Sequence, residues 1–234
     1  MSVTAGTAVP HTTSFSLIET MHYRHRIRFL SDHLARMAAS AAHFAIPFDS
    51  SAANTCIKEV IARDIKGDGA HKVRITLNSD GVFAGTASRV IRIPRRHRKL
   101  CISPLLVDQA NPYFHHKTTR RALYESEFSR AGAAGYDEVL FFNTRGMLAE
   151  GSRHNVFVRI AGTIFTPPPA SGVLQGVYRK QILSRCPQIK VRPIRRAELM
   201  QASDLYLTNA VQGLRRYVCR GKFEVLSFPK PEST

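Results

Sequence analysis

The stretch that most constrains this chain is AEGSRHNVFVRIAGTIFTPPPASGVLQGVYR, residues 149–179. A carboxylate, Glu150, leads into a short apolar alternation, the period of a half-buried strand. Ala161-Gly162 is a turn signal before a second apolar run. The prolines Pro167 to Pro169 have no N–H to give to a ladder, so they end that run. Two glycines, Gly172 and Gly176, then shape a loop, and GVYRKQILSRC reads as a helix. The first amides of a helix lack partners and favour an anion. One segment thus offers a carboxylate, a proline-stiffened loop and a helix end suited to phosphate.

The rest of the chain must supply the core and any reactive group. With 44% hydrophobic and 22% charged residues over 234 positions, the composition is globular and allows one large or two small domains. No apolar run approaches about 18 residues, so no membrane span is expected. The N-terminus shows no charged region followed by an apolar core, and a cytoplasmic location is expected. Cys56, Cys101, Cys186 and Cys219 are scattered without C-x-x-C spacing, which argues against zinc or a redox pair. No metal is expected.

The formal net charge is +17. The basic residues cluster in IRIPRRHRKL (Arg92, Arg95, Arg96, Arg98, Lys99) and in HYRHRIRFL. Period 2 puts Arg24, Arg26 and Arg28 on one face of a strand. A nucleic-acid surface needs aromatic platforms or a reading module, and none is present, so nucleic acid is not the expected partner. Positive potential also concentrates small anionic substrates.

The order of elements reads as α+β. SFSLIETMHYRHRIRFL gives two strands with a turn near His22 to His25. A helix follows, capped by Ser31 or Asp32, with Leu34, Met37, Ala38, Ala41 and Phe44 on its apolar side, stopped by Pro47. A second helix spans about Ser51 to Asp64, and a hairpin turns at Asn78 to Gly81. SPLLVDQANPYFHHK reads as an extended connection. Then come a helix from TTRRALYESEFSRAGAAGY, strands turning at Asn143 to Gly146 and at Ala161-Gly162, the helix after Gly176, a short helix, a buried strand at Asp204 to Thr208, a final hairpin and a frayed PKPEST tail. The expected units are residues 1–106, a connection 107–116, and residues 117–234.

The order SDHLARM, HHKTTRRALY, DEVLFFNTRGMLAEGSRHNVFV, FTPPPASGVLQGVYR, LYLTNAVQG resembles the class IV, fold-type IV, pyridoxal-phosphate enzymes. These include branched-chain and D-amino-acid aminotransferases and 4-amino-4-deoxychorismate lyase. The resemblance runs from about Phe15 to Val225, and E-G-S-x-x-N-x-F followed by T-P-P and L-x-G-x-x-R is its specific core. It implies a two-domain fold, an N-terminal sandwich-like α/β domain and a C-terminal barrel-like one, acting as a homodimer. It implies pyridoxal 5'-phosphate as cofactor, with Lys117 its covalent anchor and the acid–base group, and Glu150 the partner that keeps the ring nitrogen protonated. Asn155 would be a supporting hydrogen bonder. The phosphate would meet the amides at Val177 and Tyr178, Arg36, and a residue of LYLTNAVQG, Asn209 preferred over Thr208. Arg74 and Thr20 would face the substrate.

HKTT with Arg121 and ALY resembles the H-K-T-T-N-R-A-L-Y pattern of the lyase, and a G-x-G-x-F-E-like element usual in the transaminases is missing. The expected reaction is therefore release of pyruvate from aminodeoxychorismate to form 4-aminobenzoate in folate synthesis, with amino transfer to a 2-keto acid as the alternative. The chain departs from the pattern at Arg120, Ala149, His154 and Pro169.

Overall fold

The computed structural model describes residues 15–91 and 99–218. The arginine-rich run from Arg92 to Arg98, the end of the final hairpin and the C-terminal tail lie outside them. The described fold is mixed, as expected, with helices and sheets in equal share.

The first part is a four-stranded antiparallel sheet in the order β2-β1-β3-β4, built from β1 (Leu17–Arg24), β2 (Arg26–Ile27), β3 (His71–Leu77) and β4 (Phe83–Arg89). Leu17 and Met21 of β1 share a face with Val73, Ile75 and Leu77 of β3. Two helices, α1 (Leu30–His43) and α2 (Ser50–Asp64), cover that face with Met37, Ala41, Ile57 and Val60. Asn78 closes the β3–β4 turn as expected: its Oδ1 accepts from the amides of Asp80 (3.0 Å) and Val82 (2.8 Å), with Gly81 at positive φ.

Three local expectations are corrected here. The three arginines do not share one strand face: His25, at φ 62°, makes a tight turn, and Arg24 pairs with Arg26 across it. Neither Ser31 nor Asp32 caps α1; the cap is Phe29, two residues before Ser31 and in the left-handed region, and both polar residues sit in the first turn. The chain at 103–116 is not wholly extended. Asn111 caps a single turn, α3 (Pro112–His115), by accepting from the Tyr113 amide at 3.0 Å, and Pro112 is pre-set for a first helical position.

The second part has two sheets. β5 (Leu100–Ile102), β6 (Glu138–Phe142) and β7 (Leu148–Gly151) form one, in the order β5-β6-β7. The other is β10-β9-β8-β11-β12, from β8 (Asn155–Ile160), β9 (Thr163–Thr166), β10 (Lys190–Val191), β11 (Asp204–Asn209) and β12 (Gly213–Val218). Leu140, Phe142 and Leu148 of the smaller sheet share one core with Val156, Val158, Leu205 and Leu207 of the larger. The three-stranded sheet buries Val139 and Phe141 of β6 and Ala149 of β7 with Tyr124 and Ala131 of α4 (Ala122–Ala133). α5 (Val177–Arg185) and α6 (Arg196–Met200) complete the unit. β5 falls in the span read from sequence as the first unit, yet it pairs in parallel with β6.

Gly85 marks the tightest contact of α2 on the first sheet. A Cβ there would lie 2.8 Å from Val60 Cγ2 and 3.0 Å from the Arg74 carbonyl. Gly85→Ala is expected to cost about 1–3 kcal/mol through overpacking, read as a lower denaturant midpoint. An unchanged midpoint would mean that α2 moves aside freely.

Candidate active site

Lys117 sits between α3 and α4 on a chain segment fastened to the start of β1. Its carbonyl accepts from the Ile18 amide at 2.8 Å, and the Thr119 amide donates to Ser16 at 2.9 Å. Leu17 and Thr118 form a bridge between these two bonds. The backbone is thus fixed while the amine points among charged groups. Desolvation, then the Arg121 and Arg36 guanidiniums, push that amine down to about 7, against the pull of Glu19 and Glu150.

Glu150 lies on β7 and is almost fully buried. Burial pushes its carboxyl up to about 8, although Arg121, the Leu174 amide, Lys117 and Tyr124 all act to lower it. Its Oε2 accepts from Asn155 Nδ2 (3.1 Å) and the Leu174 amide (3.2 Å), and its Oε1 from the Tyr124 hydroxyl (3.3 Å). Asn155 Nδ2 also donates to the Leu174 carbonyl at 2.8 Å, tying β8 to the loop before α5. Gly176 must stay bare, because a Cβ there would fall 2.0 Å from Asn155 Oδ1. Arg121 donates to the Ser152 carbonyl, and its Cζ lies 5.1 Å from the centre of the Tyr124 ring.

Arg36 is held by a residue that sequence reasoning passed over. Its Nε and NH2 meet the two oxygens of Glu19 at 2.8 and 2.7 Å, and His33 Nδ1 approaches Glu19 Oε2 at 2.6 Å. Burial alone would raise Glu19; Arg36 and His33 outweigh it and hold the carboxyl at about 2. The signal was present: Glu19 lies between Leu17 and Met21 on an otherwise apolar strand face. The remaining Arg36 nitrogen, NH1, donates to the Gln175 carbonyl at 3.2 Å, just before α5. Asp32 strengthens the same seam by accepting from Lys180 Nζ (2.6 Å) and Gln181 Nε2 (2.7 Å).

Val177 and Tyr178 are the first residues of α5, so their amides have no intrahelical partner. At the end of β11 the two neighbouring candidates are engaged differently. Asn209 is occupied with its own turn: Oδ1 accepts from Val211 and Gln212, and Nδ2 donates to the Arg153 carbonyl at 3.3 Å. The Thr208 hydroxyl is buried without a hydrogen-bond partner, and Thr208 pairs in register with Asn155. Thr208 thus has an unpartnered hydroxyl, while both polar atoms of Asn209 serve its own turn and the Arg153 carbonyl. Thr20 and Arg74 are register partners on the sheet face opposite Glu19. Desolvation and Arg121 lower the Arg74 guanidinium, which Glu125 partly offsets, so Arg74 looks toward the start of α4. Lys117, Glu150, Arg36 and the α5 N-terminus therefore converge, Arg74 borders them, and Thr20 adjoins only through Arg74.

A family model described as amino-transferase class IV matches residues 16–218. The chain belongs to this family. Members use pyridoxal phosphate. A solved structure of a putative amino-acid aminotransferase from Mesorhizobium loti superposes with TM-score 0.80 at 28% identity, covering 87% of this chain and 98% of that one. A putative 4-amino-4-deoxychorismate lyase from Legionella pneumophila gives TM-score 0.77 at 25% identity, over 90% and 85%. A probable branched-chain-amino-acid aminotransferase from Aquifex aeolicus is 35% identical over 80 residues, 32% of this chain. That match spans about a quarter of the Aquifex enzyme's length, 26%. No described helix is long and apolar enough to cross a membrane.

The residues present suit such a cofactor. An unpartnered buried hydroxyl, free helix amides and a bare glycine beside a fixed asparagine are features that a bound phosphate and ring would use. Gly176→Ala is expected to displace Asn155 from Glu150 and weaken pyridoxal-phosphate binding by about tenfold, the loss of one good hydrogen bond, measured by absorbance titration. Glu19 yields a second expectation. Its value lies below the ordinary 4.5, so its stabilisation is present above that pH and fades as pH falls through about 2. Glu19→Gln should cost on the order of 3 kcal/mol at neutral pH, with the gap to wild type closing near pH 2 in chemical denaturation.

Proposed function

We propose that this protein is a pyridoxal-phosphate-dependent lyase that releases pyruvate from 4-amino-4-deoxychorismate to leave 4-aminobenzoate, acting as a homodimer. The observation that supports the cofactor part of the reading is the buried Lys117 amine set among Arg36, Arg121 and the buried Glu150, whose Oε2 is held by Asn155 and the Leu174 amide. When bound, the cofactor supplies a sink for the electron pair left by a broken substrate bond.

The chain's own groups supply the rest. Burial and the nearby Arg121 and Arg36 favour the uncharged Lys117 amine, so Nζ can act as nucleophile and then accept and return a proton. Glu150 Oε2 is filled by two N–H donors, so Oε1, which meets the Tyr124 hydroxyl, is the oxygen with a lone pair left to hold or hand over a proton. Arg36, the Val177 and Tyr178 amides and Thr208 provide donors for a phosphate. Arg74 has no hydrogen-bonded carboxylate among the described residues and offers its guanidinium to a substrate carboxylate. The lyase reading draws further support from HKTT, Arg121 and ALY, and from the match to the Legionella protein.

Amino transfer is the second reading, favoured by the Aquifex match and by 22% identity over 198 residues to a D-alanine aminotransferase from Bacillus licheniformis. Incubation with aminodeoxychorismate, and separately with amino acids plus 2-oxoglutarate, separates the two: keto acid without 4-aminobenzoate would overturn the lyase. Lys117→Ala should abolish the long-wavelength band of bound cofactor and lower turnover on the order of a thousandfold. In wild type, cofactor capture should speed up as pH rises toward about 7 and level off above it, following the neutral amine. A rate flat from pH 5 to 9 would rule out Lys117 as the titrating nucleophile.

A further inference from the structure

His154, one of the departures from the family pattern, stands beside Glu138, a fully buried carboxylate on β6. Glu138 accepts from the Val139 amide (3.0 Å), the Ser152 amide (3.0 Å), the Ser152 hydroxyl and His154 Nδ1. Burial would raise that carboxyl, but His154, Ser152 and the Val139 amide hold it below the ordinary value. With Nδ1 committed to Glu138, the ring is fixed and Nε2 faces outward. It meets Gln212 Oε1 at 3.0 Å.

Gln212 lies in the loop that joins β11 to β12. That loop, residues 210–212, begins two residues after Thr208, whose hydroxyl is buried and unpartnered, and leads into Gly213, where a Cβ would lie 3.5 Å from the Tyr178 hydroxyl. Two contacts tie it to the segment between β7 and β8: Asn209 to the Arg153 carbonyl, and Gln212 to His154. The same segment carries Glu150 at one end and Asn155 at the other. The loop and the carboxylate are therefore referenced to one rigid strand pair.

We propose that Glu138, His154 and Gln212 form a positioning relay that sets the 209–213 turn against the Glu150 segment and so fixes Thr208 for the anionic group bound there. His154 and Gln212 touch no reacting atom in this scheme; they act through the loop. The inference rests on the proposed cofactor reading for the identity of that anion, but the tether itself can be read in the free protein.

The test compares wild type with His154→Ala, Gln212→Ala and Gln212→Glu. Amide hydrogen exchange of residues 210–212 is followed without cofactor, and pyridoxal-phosphate affinity by absorbance titration. Gln212 is exposed, so Gln212→Ala keeps the experiment decisive even if His154→Ala fails to fold. Faster loop exchange, affinity weakened by about tenfold, an unchanged thermal midpoint for Gln212→Ala and recovery in Gln212→Glu, which keeps an acceptor oxygen, are expected. Exchange and affinity equal to wild type would overturn the relay. Faster exchange with unchanged affinity would overturn its bearing on the site. Wild type that binds no pyridoxal phosphate would remove the proposed function, while the exchange data would still decide the tether.

Discussion

The structure around the site depends on one amide group. Asn155 Nδ2 reaches both the Glu150 carboxyl and the Leu174 carbonyl, so a central strand, an ionisable side chain and an irregular loop share a single donor. A buried carboxyl is costly unless it is hydrogen-bonded, and a loop is costly to bury unless its carbonyls are met. Asn155 addresses both demands, and its close approach explains the bare Gly176. Arg179 fixes the other side of the same loop, donating from NH2 to the Pro167 carbonyl at 2.9 Å. The prolines, the glycine and the two polar residues of the opening stretch are thus one mechanical unit.

That unit was legible in sequence because its chemistry is local. Glu150, Asn155, the prolines and the α5 start lie within one short run, and turn and helix-end rules apply to them directly. Strand and helix existence followed the apolar period, and the turns at Asn78 to Gly81 and Asn143 to Gly146 appear where their residues placed them. What escaped was long-range pairing. Nothing near Glu19 in sequence announces Arg36 as its partner, and the choice between Thr208 and Asn209 turned on which side chain its own turn had already used. The split of Arg24, Arg26 and Arg28 by His25 escaped too, because a non-glycine residue in the left-handed region carries no period.

The basic character of the chain also takes on a definite shape. Several cations are not solvated decoration. Arg36 is clamped by Glu19, Arg121 by the Ser152 carbonyl, and Arg120, a departure from the family pattern, lies with its Cζ 4.3 Å from the centre of the Tyr113 ring. Arg153 covers the Phe128 ring at 3.9 Å. Of these, Arg121 and Arg36 act on the lysine, disfavouring the charged form of its amine.

The seam between the two parts carries a separate consequence. Contacts from α1 and its start to the α5 region are few: Arg36 to Gln175, Asp32 to Lys180 and Gln181, and the Phe29 ring beside Tyr178 and Arg185. The carboxyl, the asparagine and the helix end all belong to the far side of that seam, while Arg74 and Thr20 belong to the near side. On the proposed reading, substitutions at Arg74 and Thr20 would alter what is admitted, whereas one at Glu19 on the same sheet would release Arg36. A scaffold divided this way keeps the groups proposed to react on one wall and those proposed to select on the other.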